Sequence, residues 1–198
     1  MKPIFIAEIK TQSMFGFQSK YSRNILIDTA IHYGDWISVH TDPRFGGSFD
    51  DIHIIRQETK KPILAKGFHI HYSDIQKCFD LGADYVLTVQ KPSEKLNSFY
   101  SNGLLKNIIF EIDNINDISN VNQHLMRYCY NGRSLKTGFG KKYIGDYQQF
   151  RDRCDWLCGA SLIKELDDVQ KFYPKCDAFI IGQNLVEFCK DYAQIITL

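Results

Sequence analysis

Residues 2–10, Lys2-Pro3-Ile4-Phe5-Ile6-Ala7-Glu8-Ile9-Lys10 (KPIFIAEIK), set the reading of the whole chain. Ile4, Phe5, Ile6, Ala7 and Ile9 form the near-continuous apolar run of a strand buried on both faces, as parallel strands are. Charge enters only where burial should be ending. Residues two apart on a strand share a side, so a strand with Ile6 inward carries Glu8 and Lys10 on that side as well, towards its C-terminal end. A carboxylate and an ammonium in that place point to a site. The plain competing reading is a surface ion pair at a fraying strand end.

Outward from this strand, the chain alternates apolar runs of strand length with stretches of helical period. Asn24–Tyr33 follows as a helix, with Ile27, Ala30 and Ile31 on one face. Then come a strand at Trp36–His40, a Gly-bearing loop, and a helix from Phe49 to about Thr59. Pro62–Phe68 is the third strand, carrying Lys66, and Tyr72–Leu81 its helix, stopped by Gly82 in the C-capping place. Tyr85–Val89 and Asn107–Ile112 are the next strands, with helices expected at Ser93–Tyr100 and Asn116–Met126. Tyr128–Tyr130, Trp156–Gly159 and Ala178–Gly182 complete the strands, and Asp146–Arg153, Asp167–Tyr173 and Leu185–Ile195 the helices. Strands alternating with helices make parallel β–α–β units, and eight of them close a (β/α)8 barrel. The alternative, an open doubly wound sheet, would call for a GxGxxG fingerprint, which the sequence lacks. No linker, low-complexity tract or internal repeat divides residues 1–198, so they read as a single compact TIM barrel domain.

Composition bounds the function. The chain has 198 residues and a formal net charge of +1, so it offers no broad field for nucleic acid or an anionic membrane, and any anion must be bound locally. The six cysteines form no CxxC pair and several sit in apolar runs, as reduced core thiols do. With no apolar run near the roughly 18 residues of a membrane span, and a first strand at the very N-terminus, we expect a cytoplasmic protein without signal peptide or membrane segment.

In a barrel, chemistry belongs at the C-terminal ends of the strands. There the sequence places Glu8 and Lys10, then Lys66, Glu111, Asn131 with Arg133, Ser161, and finally Gly182, Gln183 and Asn184. Two lysines and two glutamates around one mouth would shift one another's proton affinities and keep acid and base roles apart near neutral pH. The competing reading has these long side chains simply reaching out to solvent. His69 and His71 form an HxH past a strand end with no third ligand in sight, so no metal site is expected. Cys154 and Cys158 read as free thiols.

The runs FIAEIK with Ser13 three beyond Lys10, ISVHTDPRFGGSFDDI, PILAKGF, GADYVLTV, FEI, NGRSLKT and DAFIIGQN resemble, in this order, the indole-3-glycerol-phosphate synthases of tryptophan biosynthesis. The resemblance implies a cofactor-free decarboxylating lyase. Its small phosphorylated substrate is 1-(2-carboxyphenylamino)-1-deoxyribulose 5-phosphate, whose indole ring it closes with loss of carbon dioxide and water. By the same resemblance, Lys66 is the general acid at the ketone oxygen and Glu111 the acid or base of the dehydration. Lys10 and Glu8 form the assisting charged pair, and Asn131 is the remaining member of the catalytic set. The same resemblance places Arg133, with Asn131, near the anthranilate part, has Phe68 pack on the substrate, makes Leu135 a further substrate-binding residue, and matches Ser13, Ser161, Gly182 and Asn184 to phosphate-site positions.

The chain also departs from that pattern. It begins at the first strand, without the family's N-terminal helical extension. After the seventh strand it reads Ala160, Ser161, Leu162, Ile163 where the family reads Glu-Ser-Gly-Ile. The loop after Ser13 reads MFGFQS, and Gly67 stands where the family has an acid. Phe15, Phe17 and Phe45 in the mouth loops are expected to cover an aromatic substrate. The departures keep open a diverged barrel that binds or acts on another phosphorylated sugar or aromatic ligand.

Overall fold

Eight strands pair in chain order and in parallel, and the last closes on the first to make a barrel. They are β1 (Ile4–Ile9), β2 (Trp36–His40), β3 (Ile63–Lys66), β4 (Tyr85–Thr88), β5 (Ile108–Ile112), β6 (Arg127–Asn131), β7 (Trp156–Ala160) and β8 (Ala178–Ile181). The computed structural model describes residues 2–89, 103–112, 114–118, 126–133, 140, 144–161 and 163–196. Within these lie the helices α1 (Arg23–Tyr33), α2 (Asp50–Glu58), α3 (Tyr72–Asp80), α4 (Ile144–Arg151), α5 (Leu166–Phe172) and α6 (Leu185–Ile196). The helix expected at Ser93–Tyr100 lies outside the described residues. So does most of the one expected at Asn116–Met126, whose start is a 3-10 turn at Ile115–Asp117, while Met126 leads directly into β6. Among the described residues no helix is long and apolar enough to cross a membrane.

The strands are buried on both faces because each face meets its own apolar layer. Ile37, Val39, Ile63, Ala65, Ile108 and Phe110 face the helices, together with buried helix residues such as Ile52, Ile55 and Ile75. The alternate residues turn into the barrel, where Ile6, Leu64, Leu87, Ile109, Cys129, Cys158 and Ile180 pack in a second cluster. Period two therefore stacks the interior in layers. At the N-terminal end Trp36 stacks on Tyr85 at 4.2 Å, and the Arg127 guanidinium lies 5.2 Å from the Tyr85 ring and 5.0 Å from that of Trp156, an aromatic floor bound by cation–π contact. Aliphatic side chains and the paired strand thiols Cys129 and Cys158 fill the middle. The next inward positions up are Glu8, His40, Lys66, Glu111 and Asn131, and all but Lys66 are buried.

One device ties adjacent strands together three times. Asp35, before β2, gives its backbone N–H to Phe5 O at 2.8 Å and accepts the Phe5 N–H on Oδ2 at 2.9 Å. Asp84 makes the same pair of bonds with Ile63 at 2.9 and 2.8 Å, and Asp177 with Leu157 at 2.8 and 2.8 Å. Each carboxylate also meets a cation, Lys2, Arg56 and Arg151 respectively. The barrel thus carries a repeated structural unit that the sequence alone did not disclose as a repeat.

Candidate active site

Position 8 organises the C-terminal mouth. Glu8 is 4% exposed. Its Oε1 accepts from Lys66 Nζ at 2.7 Å and from His40 Nε2 at 3.1 Å, and Lys10 Nζ stands 3.9 Å from Oε2. The strands force this meeting. Glu8 follows Ile6 on the inward face of β1, while β2 and β3 pair so that His40 and Lys66 are register partners at their ends. Lys66 is held at the backbone too, its carbonyl accepting the Thr41 N–H at 2.9 Å. Across the mouth, Asn131 Nδ2 donates to Glu111 Oε1 at 3.0 Å, and Asn131 Oδ1 accepts the Arg133 N–H at 3.0 Å.

Electrostatics separates the four titratable groups brought together. Burial pushes the Glu8 carboxyl up, but Lys66, Lys10 and His40 outweigh it and hold Glu8 well below the usual carboxylate range. For Glu111 burial prevails over the pull of Lys66 and the Asn131 hydrogen bond, so its proton affinity is raised. Burial likewise lowers Lys10, against the attraction of Glu8. Lys66 is also disfavoured by burial, but Glu8 and Glu111 overcome this and raise it. The site therefore pairs a fixed carboxylate and a fixed ammonium with a carboxyl and an amine that sit closer to neutrality, the pattern by which acid and base roles are divided.

Two contiguous cavities open onto these groups. One, of about 50 Å³, is lined by Lys66, Glu111, Asn131, Phe45, Phe68 and Phe15 among others. The second, of about 310 Å³, runs from Glu8 and Lys66 to Phe17, Lys164 and the Gly182–Gln183–Asn184 segment ahead of α6. Lys10, Arg133 and Ser161 border both. Phe45 bridges the polar and aromatic parts, with Lys10 Nζ 5.1 Å from its ring and Phe68 at 5.9 Å between centroids. Arg133 Nε is buried with no hydrogen-bond partner among the described residues. Ser161 has φ 62°, a left-handed conformation uncommon outside glycine, at the junction of the cavities.

Other expected residues have different surroundings. Ser13 borders neither cavity; its Oγ accepts the N–H groups of Phe15 and Phe17, both at 3.3 Å, and so shapes the loop that carries those two rings. Asn184 borders the larger cavity but gives its side-chain amide to Lys164 O at 2.7 Å. Leu135 and Leu162 lie outside the described residues. At Gly67 a Cβ would press on Thr41 Oγ1, so a larger residue would disturb the Thr41–Lys66 contact. His69 is a buried bracket: Leu87 O can only accept, so Nδ1 donates to it at 2.6 Å, while Nε2 meets Thr41 Oγ1 at 2.8 Å. Cys154 and Cys158 are buried free thiols in the outer and inner clusters respectively.

Two residues escaped the sequence reading. Lys164 lies beyond β7 in a loop without periodicity, so no signal pointed to it. His40 had one: it is in phase with Trp36 and Ser38 at a strand end, the same argument that singled out Lys66.

A family model described as indole-3-glycerol phosphate synthase matches residues 1–197. A curated protein of that name from Bacillus cereus (strain B4264) is 32% identical over 147 residues, covering 67% of this chain and 56% of its own length. One from Bacillus cereus (strain ATCC 10987 / NRS 248) is 36% identical over 109 residues, 51% of this chain and 42% of its own. One from Bacillus mycoides (strain KBAB4) is 34% identical over 109 residues, again 51% and 42%. The chain spans about half the length of the curated relatives it matches.

Proposed function

The chain belongs to the indole-3-glycerol phosphate synthase family, and from that premise we propose that it converts 1-(2-carboxyphenylamino)-1-deoxyribulose 5-phosphate to indole-3-glycerol phosphate, carbon dioxide and water. The observation that carries this reading is the pairing of Lys66 with Glu8 at 2.7 Å, facing Glu111 and Asn131 across one mouth. Ring closure needs a proton delivered to the ketone oxygen as the aromatic carbon attacks. Lys66, kept as an ammonium by its carboxylate neighbours, is suited to give it. Carbon dioxide then leaves. Loss of the new hydroxyl as water takes a proton from an acid and returns one, from a substrate carbon, to a base. Glu111, whose proton affinity burial raises above that of an ordinary carboxyl, fits that task, with Lys10 assisting.

Binding follows from the lining. The larger cavity, with Lys164 and the backbone ahead of the twelve-residue α6, suits a phosphate. Phe45 and Phe68 line the smaller cavity and give it the apolar wall that suits an aromatic ring, and the Arg133 fork suits the carboxylate of that ring. A small phosphorylated substrate, with no nucleic acid or membrane partner, fits a net charge of +1. The six buried free thiols favour a reducing, cytoplasmic setting.

The test is direct. Adding the substrate to the protein should produce rising indole fluorescence, and Lys66→Ala should slow that rise by about 100-fold or more, the scale of a lost general acid. A protein that folds but yields no signal refutes the reading, and a Lys66→Ala variant as fast as the parent refutes the role of Lys66.

A further inference from the structure

His40 has a place in the mouth that the charged residues do not account for. It is 4% exposed, at the last position of β2, and its ring stacks on Phe45 at 4.8 Å with an interplanar angle of 12°. On the backbone side Gly47 closes in: a Cβ there would strike the His40 carbonyl. The imidazole is thus clamped between loop and barrel. Its Nε2 shares one oxygen with Lys66, since both meet Glu8 Oε1, at 3.1 and 2.7 Å. Glu8 is ionised and can only accept, so Nε2 carries the proton. Nδ1 is then a lone pair, buried and without a hydrogen-bond partner among the described residues.

This arrangement matters once Lys66 acts, and so rests on the function proposed above. To reach a substrate, Lys66 must loosen its bond to Glu8 Oε1. Lys10 lies 3.9 Å from the other oxygen, too long for a hydrogen bond. Without His40 the oxygen would be left buried and unpaired while the ammonium is away, a penalty that would hold Lys66 in place. We infer that His40 is a positioning residue that retains the Glu8 carboxylate through its Nε2–H, so that Lys66 can exchange between Glu8 and the substrate. Charged and titratable groups around the ring are Glu8 and Lys10 from β1, Lys66 from β3 and Asp42 in the following loop. Burial lowers the imidazole's proton affinity, in keeping with a neutral donor.

The experiment compares the parent with His40→Leu and His40→Gln, the second keeping an N–H donor. In indole-fluorescence assays, His40→Leu should lose kcat about tenfold or more with KM changed less than about twofold, the acid limb of its pH profile should move up, and His40→Gln should restore most of both. Independently of turnover, 13C NMR titration of the Glu8 carboxyl should show its pKa higher by about one pH unit in His40→Leu and near the parent's in His40→Gln. 15N NMR of the parent should show the neutral Nε2–H tautomer, retained in Lys66→Ala. An unchanged Glu8 titration in His40→Leu, a protonated Nδ1, or loss of the bond in Lys66→Ala overturns the inference. A parent that yields no indole refutes the proposed reaction instead, and the two NMR measurements then decide the role of His40 alone.

Discussion

At the scale of single residues, the mouth is ordered by what cannot be added as well as by what is present. Gly182 shows this. A Cβ there would run into Glu8 Oε2 and come within 3.2 Å of Glu8 Cβ. The carboxylate cannot swing aside freely, because its other oxygen is held by Lys66 and His40. Gly182→Ala should therefore displace Glu8. We expect it to cost about 1–3 kcal/mol, as overpacking does, and to lower kcat by more than it raises KM, checked by urea unfolding and steady-state kinetics. An effect on KM alone would tie Gly182 to the phosphate and not to Glu8. The sequence showed a glycine at the end of a strand in a motif; the reason for it lies on β1, more than a hundred and seventy residues earlier, and no local pattern carries that contact. Lys66 and Glu8 were legible for the opposite reason, since charge at the end of an apolar run is a local anomaly.

At the scale of elements, the barrel is joined strand to strand by the three aspartates. In Gly34-Asp35-Trp36, Ala83-Asp84-Tyr85 and Cys176-Asp177-Ala178, the acid precedes a strand and reads in the sequence as an ordinary turn residue. Its backbone and carboxylate both reach the strand before, closing a two-bond ring on Phe5, Ile63 or Leu157. Asp84→Ala removes the acceptor of the Ile63 N–H and the carboxylate partner of Arg56, which keeps its bonds to the Gly82, Thr59 and Lys61 carbonyls, and should cost about 1–2 kcal/mol. Asp35→Ala acts on a different strand pair, so the double variant should show the sum within about 0.5 kcal/mol. Urea midpoints of the two single variants and the double would check both claims; a strongly non-additive result would mean that the clamps work as one unit. Strand positions were readable to within two residues because burial on both faces leaves few polar positions to confuse the period. Where the helix expected from Asn116 should begin, Asn114 caps a 3-10 turn at Ile115–Asp117 by accepting the Asn116 N–H at 2.9 Å, and residues 119–125 lie outside the described residues.

At the scale of the whole molecule, eight strands converge to put two glutamates in one cavity under opposite constraints. Their separation was foreseeable from the convergence of charge, but the direction for each depends on distances that only the closed barrel sets. Glu8 lies 2.7 Å from Lys66, and the Glu111 carboxylate accepts a hydrogen bond from the neutral amide of Asn131 at 3.0 Å. The consequence is a sign difference in stability. The folded-state pKa of Glu8 is depressed, so its contribution is complete above its ordinary value of 4.5 and is lost as pH falls through the depressed value. The folded-state pKa of Glu111 is raised above 4.5, so its contribution is greatest below that value and declines as pH rises through the raised one. At pH 7 the fold therefore gains from the depressed pKa of Glu8 and is penalised by the raised pKa of Glu111. Glu8→Gln should lose about 3 kcal/mol, since it strands the buried Lys66 ammonium, and should flatten the fall in stability below pH 4.5. Glu111→Gln keeps an acceptor for Asn131 and removes the penalty, so it should gain about 1 kcal/mol at pH 7 while losing turnover, a trade of stability for function. Urea unfolding between pH 3 and 8 separates the two. A destabilised Glu111→Gln would mean that Lys66 stabilises this carboxylate more than burial opposes it, and the division of acid and base between the two glutamates would fail.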